Sequence, residues 1–175
     1  DLRLSRGLGD VYKRQDIYGL MFHGPRFQPL KGVVATIETT SGTGIEARVN
    51  SIQDLPDPRL FNIRGKAIIP DLTSYPMLIE SCFQAAGLTS MDLDSAESLP
   101  VGAKRILIAG EIPEGSLTVT SVRKGSETNG TFVHESVIRL DGSPIMRIDG
   151  LKMRKLRDLN DDQRPGLAEY SGELA

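Results

Sequence analysis

The sequence holds no tryptophan, a single cysteine and only two histidines in 175 residues, and aromatic residues make up 5% of it. The lone Cys82 excludes a disulfide framework within the chain and fits a reducing, cytoplasmic setting. Net charge is −2 and no basic block stands out. That argues against nucleic acid or an anionic membrane as a partner. No apolar run approaches the ~20 residues that span a bilayer, and no secretory signal is visible. The rest of the composition, 39% hydrophobic and 25% charged, is ordinary for a globular chain. The length suffices for one domain with a real core. The 18 glycines and 10 prolines predict many turns and short strands.

What stands out is the stretch Tyr75-Pro-Met-Leu-Ile-Glu-Ser-Cys-Phe-Gln-Ala-Ala-Gly87. From Met77 to Ala86 only Glu80, Ser81 and Gln84 are polar, so the segment reads as a helix buried on most sides. Pro76 suits a first helical turn, with Thr73 or Ser74 as caps, and Gly87 suits its end. Glu80 and Gln84 then lie one above the other on one face. A carboxylate in such a helix is costly unless it is paired or partly protonated. Burial is expected to raise its pKa and make it a usable proton donor or acceptor near neutral pH. The bland alternative is a single Glu reaching solvent.

In chain order, Ser5–Gln15 back-translates to a transposon-end sequencing adapter. Residues 1–15 are therefore expected to be non-native and to pack on nothing. On that reading the chain is a fragment whose natural upstream part is missing. Asp16–Phe27 starts like a helical turn and ends at the Gly24-Pro25 turn signal. Gly24 leaves its backbone N–H free to approach a ligand. Val33–Glu38 and Ile45–Asn50 read as a hairpin whose connection, Thr39–Gly44, is a loop rather than a tight turn. Leu60–Ile69 is a weaker strand. Thr89–Pro100 reads as a loop whose Asp92, Asp94 and Glu97 are a solvated surface and not a metal site. Four strand-like runs follow, Lys104–Glu111, Ser116–Arg123, Gly130–Leu140 and Pro144–Leu156. Asp141-Gly142 marks a hairpin between the last two. Residues 158–175 read as a polar tail or linker. The economical fold is α+β, one buried helix wrapped by an antiparallel sheet.

That architecture and three motifs resemble the hotdog-fold dehydratases. Pro76-Met-Leu-Ile-Glu80-Ser-Cys-Phe-Gln84-Ala-Ala-Gly87 is similar to the helix of bacterial β-hydroxyacyl-acyl-carrier-protein dehydratases. Phe22-His-Gly-Pro-Arg-Phe-Gln28 resembles the Tyr-Gly-Pro-x-Phe motif of polyketide synthase dehydratase domains, with His23 in place of Tyr. Leu99-Pro-Val-Gly102 before a strand fits the same family. The resemblance covers Asp16–Leu156 and suggests the second half of a double hotdog, in a polyketide or polyunsaturated fatty acid synthase.

The resemblance implies a role for each matching residue. Glu80 takes the place of the catalytic carboxylate, more often Asp in polyketide synthases, with Gln84 as its hydrogen-bonding neighbour. Tyr75 stands where those domains often carry His. His23, Gly24, Pro25, Phe27, Tyr75 and Pro76 fall at substrate-binding positions. The Gly24 amide and the helix start near Pro76 are candidates for the thioester oxygen. The family's motif histidine, the base that removes the α-proton, belongs to the first half. Neither His23 nor His134 begins that motif, and His134 reads as structural. The implied reaction is dehydration of a 3-hydroxyacyl thioester to a 2-enoyl thioester, with no cofactor or metal. The implied partners are acyl carrier protein bearing a phosphopantetheine-linked substrate, the missing hotdog half, and a possible homodimer. Alternatives are a hotdog thioesterase using the same carboxylate, or a non-catalytic half that binds carrier protein or holds a dimer.

Overall fold

The computed structural model describes residues 3–4, 12–50, 71–109 and 114–160. Its elements are β1 (Arg3–Leu4), β2 (Tyr12–Lys13), α1 (Arg14–Leu20), a 3-10 turn (Pro25–Phe27), β3 (Leu30–Thr39), β4 (Gly42–Val49) and α2 (Asp71–Asp94). After the helix come β5 (Ala96–Gly102), β6 (Arg105–Ile108), β7 (Leu117–Glu127), β8 (Thr131–Leu140) and β9 (Ser143–Asp158). The strands form one antiparallel sheet in the order β1-β3-β4-β7-β8-β9-β5, with β2 also on β3 and β6 also on β9. Helix α2 packs against β4, β5, β7 and β8. This is the α+β hotdog arrangement expected from the sequence.

Period-two alternation explains which face of the sheet meets the helix. On β7, Leu117, Val119 and Ser121 are buried, and on β8 Phe132, His134, Ser136, Ile138 and Leu140. On β9, Met146 and Ile148 face in, and the inward set then resumes at Leu151 and Met153. The slip occurs at Gly150, whose φ of +60° lets the strand bulge between the His134 and Ser136 pairings. Leu78, Cys82, Ala85 and Ala86 complete the core from the helix. Each fully buried leucine, isoleucine, valine or methionine of this core contributes ~1.5–3 kcal/mol. Asp141 and Gly142, at φ +48° and +86°, make the tight turn their sequence predicts.

Several expectations are corrected. The connection from β3 to β4 is a two-residue turn, Thr40-Ser41, because Thr39 pairs directly with Gly42. The Thr39 hydroxyl donates to the Gly42 carbonyl and accepts from the Ser41 amide, which stabilises the tight form. Thr89–Pro100 is not a loop. Helix α2 continues to Asp94 and β5 starts at Ala96. Thr89 and Ser90 fit the helix because their hydroxyls donate to the carbonyls of Ala85 and Ala86 at 2.8 and 3.1 Å. The helix stops at Ser95, which turns left-handed at φ +48°. Gly87 lies inside it, where a Cβ would meet Met21 Cε at 3.5 Å and Met153 Cε at 4.0 Å. The three acidic residues are not a simple solvated surface. Asp92 is buried, Asp94 pairs with Arg123, and Glu97 pairs with Arg157. Pro76 is the sixth residue of α2 rather than part of its first turn.

The described part of the N-terminal segment also differs from the expectation that it packs on nothing. Arg3 and Leu4 pair with Glu38 and Ile37, and Tyr12 and Lys13 with Val33 and Gly32. The Lys13 amide donates to Asp16 Oδ2 at 3.0 Å, capping α1. The expected strand Leu60–Ile69 lies outside the described residues, as do residues 161–175 of the expected tail. Among the described residues, no helix is long and apolar enough to cross a membrane.

Candidate active site

The polar face of α2 meets the chain that runs from α1 into β3, and Gln84 is the junction. Its Oε1 accepts the Tyr18 hydroxyl at 2.8 Å. Its Nε2 donates to the Phe27 carbonyl and to Glu80 Oε1, each at 2.9 Å. The sense of the amide follows from Tyr18. That hydroxyl accepts the Leu30 amide proton at 2.8 Å, so its own proton goes to Gln84 Oε1. The nitrogen of Gln84 must then face Phe27 and Glu80. Burial pushes the Tyr18 phenol well above its ordinary range, while the Leu30 amide pulls the other way. Tyr18 therefore stays neutral and remains a donor.

Glu80 has a second partner, His23, whose Nε2 lies 2.9 Å from Glu80 Oε1. The His23 ring stacks on Phe22 with centroids 4.4 Å apart, and its carbonyl accepts Gln28 Nε2 at 2.9 Å. Both bonds to Glu80 fall on Oε1, and Oε2 has no hydrogen bond among the described residues. The Glu80 side chain keeps 23% of its exposure and that of His23 17%. Burial pushes the Glu80 carboxyl up. The hydrogen bonds from His23 and Gln84, with the charge His23 carries when protonated, outweigh it and leave the carboxyl below its ordinary value. This corrects the expectation of a raised pKa, which considered burial without partners. At neutral pH Glu80 is a carboxylate.

A cleft of about 450 Å³ opens beside the pair. Glu80, His23, Gln84, Gly24 and Phe27 line one part of it. Phe83, Met91, Leu99 and Met153 give it an apolar wall. Gly24 caps the 3-10 turn by accepting the Phe27 amide at 2.8 Å, and a Cβ on Gly24 would meet nothing within 4 Å. The backbone there is open to the cleft. Of the residues singled out in the sequence, the structure thus brings together His23, Gly24, Phe27, Glu80 and Gln84. Pro25 starts the 3-10 turn without lining the cleft. Tyr75 packs against the core and Pro76 is exposed on α2, and neither lines the cleft. The helix start is therefore not at Pro76 to receive a thioester oxygen. Among the described residues, no group of three His, Cys, Asp or Glu could hold a metal ion.

The family profile described as the polyketide synthase dehydratase N-terminal domain matches residues 5–163. The chain belongs to the polyketide synthase dehydratase family. Solved structures agree on the fold. The PpsC dehydratase domain from Mycobacterium tuberculosis, in complex with C12:1-CoA, is 20% identical at a TM-score of 0.52, over 89% of this chain and 53% of that one. The RzxB dehydratase domain from Pseudomonas fluorescens is 19% identical at a TM-score of 0.52, over 87% of this chain and 50% of that one. A hypothetical thioesterase with coenzyme A from Streptococcus pneumoniae is 13% identical at a TM-score of 0.50, over 83% of this chain and 98% of that one. No protein with a curated description matches the sequence. The chain spans about half the length of the dehydratase domains it matches.

The sequence pointed to Glu80 and Gln84, which bond to one another at the cleft, but two contacts were not legible in it. Nothing in the sequence joined His23 to Glu80, 57 positions away. Tyr18 was not singled out at all. A signal existed: Ile17 and Met21, four apart, are apolar positions of one turn, and Tyr18 adjoins them.

Proposed function

We propose that this chain is the carboxylate-bearing, second half of a double-hotdog dehydratase. It acts on 3-hydroxyacyl thioesters carried by acyl carrier protein in a polyketide or fatty acid synthase of the cytoplasm, and yields 2-enoyl thioesters. The observation that carries the reading is Glu80. Its Oε1 is clamped by His23 and Gln84 while Oε2 is left for a ligand in an apolar cleft. A base removes the α-proton, and Glu80, in its protonated form, gives a proton to the departing 3-hydroxyl, so that water leaves. The base is the motif histidine of the first half, which returns its proton through solvent. The open Gly24 amide is the candidate donor to the thioester oxygen. The motif order, with the Phe22–Gln28 segment ahead of the Glu80 helix, supports the second-half placement. Val101 on β5 and Ile106, Leu107 and Ile108 on β6 are exposed apolar residues at the β5 end of the sheet. They are the surface proposed to meet the first half, or a second copy of the chain.

The test is a carrier-protein dehydration assay on the two halves together, read as mass loss of one water. Glu80→Gln is expected to lower turnover by at least about 100-fold and to leave the fold intact. Near wild-type turnover in that variant would remove Glu80 from the role. Efficient dehydration by this chain alone, abolished by His23→Ala, would make it a self-sufficient single hotdog. Thioester hydrolysis without dehydration would favour the thioesterase reading, which the His23–Glu80 pair could serve by activating water.

A further inference from the structure

The cleft has a second wall, strand β5, which the proposed chemistry leaves unused. Ser98 lies there, 7% exposed, and lines the cleft. On β5, Ala96 and Ser98 are buried, while Glu97 and Leu99 beside them are half-buried. Ser98 thus occupies an inward position where alanine would pack equally well and bring no polar atom. Its Oγ has no hydrogen-bond partner. Only three buried side-chain polar atoms among the described residues share that condition: His23 Nδ1, Asp94 Oδ2 and Ser98 Oγ. Two of the three, on His23 and Ser98, belong to residues of this one cleft. An unpaired buried hydroxyl is a standing cost to the folded state. The other buried hydroxyls of the helix face do not carry it. Ser81, Thr89 and Ser90 each donate to a carbonyl one turn back. The same contrast separates a structural serine from one whose partner is a ligand.

We propose that Ser98 Oγ is a ligand subsite, donating its proton to a carbonyl or hydroxyl oxygen of an acyl thioester in the cleft. The proposal rests on the reading that the cleft takes such a thioester. Neighbouring Phe83, Met91 and Met153 would cover the apolar chain. Ser98 would then fix how far along the chain a polar group can sit, which makes it a specificity residue rather than a catalytic one.

The experiment titrates the full chain and its Ser98→Ala variant with two probes by NMR chemical-shift perturbation. The probes are S-(3-hydroxydecanoyl)-N-acetylcysteamine and S-decanoyl-N-acetylcysteamine. Melting temperatures of both proteins are measured without ligand. Ser98→Ala is expected to weaken binding about 3- to 10-fold. It is also expected to raise the unliganded melting temperature by roughly 2–4 °C. Weakening confined to the hydroxylated probe assigns Ser98 to the 3-hydroxyl, and equal weakening assigns it to a carbonyl that both probes carry. Unchanged affinity for both probes overturns the subsite alone. So does a lowered melting temperature, which would mark Ser98 as structural. Failure of the wild-type chain to bind either probe overturns the subsite and the acyl-thioester reading of the cleft together.

Discussion

Acid should unfold this protein through one residue that does not line its cleft. His134 is fully buried between α2 and the sheet. Its Nε2 lies 3.3 Å from Ser90 Oγ and its Nδ1 3.5 Å from Ser121 Oγ. Ser90 already gives its proton to Ala86, and Ser121 accepts that of Ser136. The network is therefore satisfied by a neutral imidazole protonated on Nε2, with Ser121 donating to Nδ1. Burial, with the Arg123 charge nearby, pushes the His134 pKa from 6.5 down to about 3. A depressed histidine is proton-free in the folded state while the unfolded chain takes up a proton below pH 6.5. The stability is complete above pH 6.5 and is lost progressively as pH falls toward 3. Each pH unit in that window costs about 1.4 kcal/mol. From pH 7.5 to pH 4.5 the loss is about 3 kcal/mol, a large share of the ~5–15 kcal/mol that holds a domain together. Glu80 and Asp149, both held below their ordinary values of 4.5 and 3.8, enter only at lower pH. Urea denaturation of wild type and His134→Gln at pH 7.5, 6.5, 5.5 and 4.5 isolates the effect. The amide can stand in for the ring but does not titrate, so wild type should lose about 3 kcal/mol more than the variant over that range. Parallel pH dependence of the two proteins would refute the reasoning.

Other perturbations follow from single contacts. Tyr18→Phe strands the Leu30 amide and frees the Gln84 amide to turn, so stability should fall by roughly 1–3 kcal/mol. The Glu80 carboxyl should move up toward its ordinary value in a carbon-detected NMR titration. Gly44→Ala should destabilise by about 3 kcal/mol or more in urea melts, because its Cβ would sit 1.9 Å from the Ser121 carbonyl oxygen, inside the β4–β7 pairing. Burial pushes the Cys82 thiol far up. A thiol reagent should accordingly leave the native protein unmodified and react within the mixing time once urea unfolds it.

What the sequence made legible was mostly local. The 3.6-residue spacing placed Glu80 above Gln84, and they do bond. The period of two placed the strands β7, β8 and β9, and Asp141-Gly142 marked their turn. The errors came where tertiary contacts outvoted local signals. Gly87 reads as a helix stop on propensity alone, but it lies inside α2, buried beside Met21 and Met153. Asp92 and Asp94 read as a wet loop, yet the Arg123 guanidinium, itself stacked 4.6 Å over the Phe132 ring, gives Asp94 a partner from strand β7. The sign of the Glu80 shift failed for the same reason. Burial could be read from the apolar helix, whereas the His23 partner comes from a loop 57 residues earlier.

That partner also bears on how Glu80 could serve as an acid. At rest it is a carboxylate, and a carboxylate has no proton to give to a departing hydroxyl. Opposing influences act on it: burial pushes it up, and His23 and Gln84 pull it down. Water reaches the carboxyl because 23% of the side chain remains exposed. An acyl chain entering the cleft would displace that water while adding no positive charge. Desolvation would grow and the donors would not, so substrate binding itself would drive Glu80 toward its protonated form. The hydrogen bonds from His23 and Gln84, and then the charge on a protonated His23, set where that crossing lies. His23→Gln keeps an N–H donor and removes the charge. In the free chain this variant should bring the Glu80 carboxyl upward in an NMR titration, by less than a variant lacking the donor altogether, such as His23→Ala. If both variants leave the Glu80 titration where it stands in wild type, the 2.9 Å contact does not control the carboxyl, and Gln84 rather than His23 must offset its burial.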